Sequence, residues 1–81
     1  MLDGWSIVEN QYEFTIHRTY PDGTDVIISI KSTNNGYEVW SSAEHRSSGP
    51  NNHLDGTAET LESAEQMLWL EAEGWDDDFL S

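Results

Sequence analysis

Cysteine is absent from this chain, which excludes disulfides and thiolate metal sites. Basic residues are almost as scarce: Arg18, Lys31 and Arg46 stand against 16 aspartates and glutamates. Direct binding to nucleic acid or to an anionic membrane is therefore disfavoured, because both rest on lysine and arginine. Long apolar runs are missing too. Val26-Ile27-Ile28 and residues 67–70 are the longest, far short of the roughly 20 residues that span a bilayer. Met1-Leu2-Asp3 carries no basic region and no apolar stretch follows it, so no secretory signal is visible. The expected setting is a soluble protein of the cytoplasm.

What is present is acid, and it is unevenly placed. Residues 1–46 hold seven acids and all three bases, a net −4, whereas residues 47–81 hold nine acids and no base, a net −9. Self-repulsion on this scale costs stability, so a role outside folding is the natural reason for it. Nine aromatic residues, four of them tryptophan, supply the bulky apolar surface that a disordered acidic chain lacks. Eighty-one residues make one domain, 1–81, with a modest core.

The stretch from Thr57 to Asp78 has helical period. At about 100° per residue, Ala58, Leu61, Ala64, Leu68, Ala72 and Trp75 fall on one core-facing stripe. Thr57 and Thr60 both suit an N-cap, and Glu59 and Glu62 complement the positive end of the helix dipole. Gly74 reads as the stop, so the spacing predicts a helix over 60–73. Asp76, Asp77 and Asp78 then follow near the negative end of the dipole, where charge is unfavourable. Leu70 lies opposite Leu61 and Trp69 lies on a flank, which leaves an acidic outer face of Glu59, Glu62 and Glu73 with an apolar residue in its middle.

Alternation marks the strands. Tyr12, Phe14, Ile16, Arg18 and Tyr20 alternate with polar residues, and Val26, Ile28 and Ile30 share one face of a second run. Pro21-Asp22-Gly23 is a turn signal, and Asn35-Gly36 suits a type I′ hairpin. A third strand spans 37–41, with Val39 inward and Trp40 sharing the opposite face with Ile27. A short strand at 6–8 precedes them, with Glu9-Asn10-Gln11 as its turn. Residues 43–56, rich in serine, glycine, proline and asparagine, read as a connecting loop. The predicted fold is α+β: an antiparallel meander of three or four strands with one acidic C-terminal helix packed on one face.

The pattern supplies no catalytic constellation and no cofactor site. His45 and His53 share a stretch with Glu44 and Asp55, but their spacing fits no helical or strand pair of metal ligands. Serine, histidine and carboxylates occur without the strand–turn–helix context of a nucleophile. Phosphate-binding glycine loops and spaced calcium ligands are absent. A general acid needs an apolar pocket to raise its pKa, and a small core leaves little room for one.

Carboxylates three and four residues apart on a helix lie about 5–6 Å apart, comparable to neighbouring phosphates on a strand. Size, charge, lack of cysteine and a meander with an acidic helix together resemble the small phage-encoded anti-CRISPR proteins that mimic DNA. The uracil-DNA glycosylase inhibitor is built in the same style. This resemblance, of composition and architecture over the whole chain, implies a non-enzymatic inhibitor acting in the cytoplasm of a phage's host. Its partner would be the basic nucleic-acid channel of a defence nuclease or CRISPR complex. The expected contact set is Glu59, Glu62, Trp69, Leu70, Glu73, Asp76, Asp77 and Asp78. The competing expectation is an ordinary interaction module, monomeric or dimeric, that works through Leu70, Trp69, Ile27 or Trp40 and is acidic for solubility or halotolerance.

Overall fold

The computed structural model describes residues 3–9, 12–45 and 48–80. Five strands follow one another in chain order: β1 (Ser6–Ile7), β2 (Phe14–Thr19), β3 (Asp25–Thr33), β4 (Gly36–His45) and β5 (Ser48–Ala58). A single helix, α1 (Leu61–Leu80), closes the chain. The sheet is an all-antiparallel meander in the spatial order β1-β2-β3-β4-β5. The α+β architecture is thus as predicted, with five strands rather than three or four.

Register explains the core. Phe14 pairs with Ile30, Ile16 with Ile28, Ile28 with Ser41 and Ile30 with Val39, so these side chains share one face. Ile16, Val26, Ile28, Ile30 and Val39 are fully buried there beneath Ala64, Leu68 and Ala72 of α1. The small residues at 64 and 72 let the helix sit close to the sheet, and Leu68 fills the space between them. Thr60 caps the helix, its Oγ1 accepting from Ser63 N at 3.1 Å. Thr57, the other cap candidate, lies in β5, as does Ala58 from the predicted stripe.

Three local expectations fail for identifiable reasons. Residues 43–56 are not a loop: β4 runs on to His45 and the chain returns as β5, pairing from Ser48 to Ala58 with two register irregularities. A polar, proline-containing sequence is tolerated because β5 is an edge strand, bonded on one side alone. The hairpin between β3 and β4 is not type I′ at Asn35-Gly36. Thr33 pairs with Gly36, leaving Asn34 and Asn35 as the loop, and neither has positive φ. Gly36 takes φ 145°, and a Cβ there would collide with the Ala58 carbonyl oxygen, so this glycine serves close strand approach as well as the turn.

The third is the end of α1. Gly74 does not stop the helix; it lies within it, and six further residues continue the turn. Tertiary contacts outweigh the glycine. Phe79 stacks on Tyr20 at 4.7 Å between centroids and on Trp75 at 5.8 Å, so the last turns are held by aromatic packing. The expected turn at Glu9-Asn10-Gln11 falls partly on Asn10 and Gln11, outside the described residues.

Candidate functional site

The acids of α1 divide by the flank they occupy. Asp76 points inward and accepts three hydrogen bonds: from Tyr20 Oη at 2.8 Å, Arg18 Nη1 at 3.2 Å and Trp5 Nε1 at 3.3 Å. Arg18 also reaches the Asp3 carbonyl at 3.0 Å and lies 5.3 Å from the Tyr20 ring centroid. One carboxylate thus ties the last turns of α1 to β2 and to the segment before β1. The guanidinium lies near the negative end of the helix dipole, which accounts for a helix ending in acids without a basic residue of its own. Burial and the adjoining Asp76 carboxylate push the Tyr20 phenol well above its ordinary pKa.

The predicted contact set is therefore only partly one surface. Glu62, Glu73 and Asp77 are exposed, and at about 100° per residue they lie within one arc of α1 that also holds Leu70. Leu70 is 68% exposed. Asp78 is exposed on another flank, and Glu59 precedes the helix, exposed at the end of β5. Trp69 is half-buried with its ring edge against Phe14 at 6.3 Å, so only part of it remains for a partner. Asp76 is bonded within the fold, which sets it apart from Asp77 and Asp78 in the expected contact set: without it three donors would lose their acceptor.

A feature unforeseen in the sequence lies beside this surface. Between β5 and the C-terminal half of α1 is an open cleft of about 420 Å³, with Trp75 and Gly74 on the helix side and His53 and Asp55 on the strand side. Glu71, Asp77 and Asp78 complete its rim. Behind this lining Ser41, 1% exposed, donates to Asp55 Oδ2 at 2.5 Å and accepts weakly from Trp75 Nε1 at 3.5 Å. Desolvation raises the pKa of Asp55 against the opposing effect of the Ser41 hydrogen bond, and desolvation with the nearby Asp55 charge raises that of Glu71.

Raised pKa values alone do not make chemistry. His53 Nε2 lies 3.8 Å from Asp55 Oδ1, so the order is serine, carboxylate, histidine. A nucleophilic triad needs the histidine between the other two, and Ser41 is buried away from any substrate. Among the described residues no group of three metal-ligating side chains converges. His45, the other loop histidine of the sequence reading, lies 3.1 Å from the Asp22 carbonyl, apart from His53.

The sheet face turned away from α1 is different in kind. Lys31 lies 4.9 Å from the ring centroids of both Tyr12 and Trp40, a cation held over aromatic faces. Thr15 and Ser29 are buried beneath, bonded to each other at 3.1 Å. Ile27 and Leu54 are 41% and 42% exposed. The open face is sparsely apolar and carries one of the chain's few cations.

No family model matches this chain, and no curated protein or solved structure does either. No helix among the described residues is long and apolar enough to cross a membrane.

Proposed function

We propose that this protein binds rather than catalyses, and that it occupies the basic nucleic-acid-binding surface of a host defence nuclease or CRISPR complex in place of DNA. The observation that carries this reading is α1: seven acids and no base, with Glu62, Glu73 and Asp77 exposed along one arc of the helix. Exposed carboxylates spaced along one helix can meet lysines and arginines that ordinarily hold phosphates. Glu62, Glu73 and Asp77 form the contact line, Leu70 adds apolar contact within it, and Glu59 and Asp78 extend the field to either side. Steering by such a field makes association fast and salt-sensitive.

The test is displacement. The protein is titrated into purified CRISPR effector complexes and defence nucleases carrying fluorescent DNA. Release of DNA from one of them, weakening steeply as salt rises, supports mimicry. Binding that leaves DNA in place and ignores salt returns the protein to the second reading, an interaction module acting through Leu70, Trp69, Ile27 or Trp40, of which Leu70 and Ile27 are exposed.

A further inference from the structure

The two edges of the sheet are unequal. β1 has two residues, whereas β5 has eleven and presents one whole side of its backbone at the sheet edge. Edges of that length invite pairing unless charge, proline or distortion blunts them. Here the blunting sits at the ends: Pro50 toward one, and a register irregularity opposite Val39 and Trp40 toward the other. Between them Asn51, Asn52, His53 and Leu54 are all exposed.

We infer that β5 pairs with β5 of a second copy, antiparallel about a two-fold axis within residues 51–54, to make a continuous ten-stranded sheet. Charge selects this occupant. Residues 48–54 contain no acid in a chain carrying 16, so this edge is a segment along which two such chains can meet without setting carboxylates directly opposite one another. Proline at position 50 has no N–H to give, and Asp55 turns to Ser41 within its own copy, which confines the axis to the residues between. An axis normal to the sheet reverses strand direction and keeps like faces together. Both α1 helices then stand on the same side, with the clefts of the two copies flanking the seam. Trp40, Leu54 and Ile27 of both copies line the other side.

The dimer is tested on the protein alone, independently of any target. Sedimentation of the full chain should show the mass rising from 9.2 kDa toward twice that value with concentration. The shift should be stronger at about 0.5 M salt, where repulsion between two anions is screened. Asn51→Glu with Asn52→Glu changes two exposed side chains and should return the protein to monomer with its far-UV spectrum unchanged. Because the chain has no cysteine, single variants Asn51→Cys, Asn52→Cys, His53→Cys and Leu54→Cys report the axis. Oxidative cross-linking should peak at one of them and exceed that of Asn35→Cys at the distant hairpin tip by about tenfold, the gain of holding two thiols in reach. A monomer at every concentration and salt, or cross-linking no faster than at Asn35, overturns the inference. So does protection of β5 amides that appears only with a different protein, since the edge would then take a foreign strand.

Discussion

The inner and outer flanks of α1 are made of the same residue types put to opposite uses. On the inner flank Ala64, Leu68 and Ala72 are buried on the sheet, and Asp76 gathers Trp5, Arg18 and Tyr20. On the outer flank Glu62, Glu73, Asp77 and Leu70 face solvent. Neighbouring aspartates can thus differ completely in what they do. Charge held by donors stabilises the fold, whereas exposed like charges along one helix arc repel one another.

Variants that break the inner flank should have the largest effects. Leu68→Ala should cost about 2–5 kcal/mol in chemical denaturation, the usual range for a fully buried leucine. Asp76→Ala leaves a half-buried guanidinium, a phenol and an indole N–H without their acceptor, and should cost about 2–3 kcal/mol. Tryptophan fluorescence should also change as Trp5 loosens. A loss as small as that of a surface variant would mean that Asp76 belongs with the outer acids.

The cleft sharpens the comparison through pH. Asp55 and Glu71 have raised pKa values in the fold, so the folded state binds protons more tightly than the unfolded chain there. Stability should rise as pH falls from neutrality toward the ordinary carboxylate range. Asp22, which accepts from Thr24 N at 2.9 Å, and Asp25, bonded by Thr19 and His17, have lowered values. Their contribution is present above the unfolded value and lost as pH falls further, below about 4. A melting temperature that peaks in mild acid is the expected result, and one that falls steadily from pH 7 would show that Asp55 and Glu71 do not bind protons more tightly in the fold.

The smallest effect is within the C-terminal half of α1. Gly74 is helical, and a Cβ there meets nothing within 4 Å. Gly74→Ala should therefore stabilise by about 0.5–1 kcal/mol. Destabilisation would show that the helix ends where the glycine stands.

Much of this was readable from the chain. Alternation in 12–20 and 26–31 marked β2 and β3 with their inward faces, because a sheet covered on one side imposes period two. Helical spacing marked Leu68 and its neighbours for the same reason. The end of α1 departs from the expected stop because period outweighs Gly74: Phe79 falls on the same stripe as Leu61 and Trp75, and Asp76 lies at its margin. β5 had no such signal, since an edge strand of asparagine, glycine and serine is held by backbone bonds that composition does not record. Glu71 lies near the stripe as well, but that it faces Asp55 depended on β5 and could not be seen without it.

On the proposed function, exposed charge on the outer flank serves binding at the expense of folding. Replacing Glu62 and Glu73 together by Gln, and measuring both properties on the same sample, separates the two. Opposite signs are expected: a melting temperature equal to or above that of the parent, and affinity for the target that releases DNA lower by at least about tenfold, 1.4 kcal/mol. Undiminished affinity in the folded double variant would overturn the proposal.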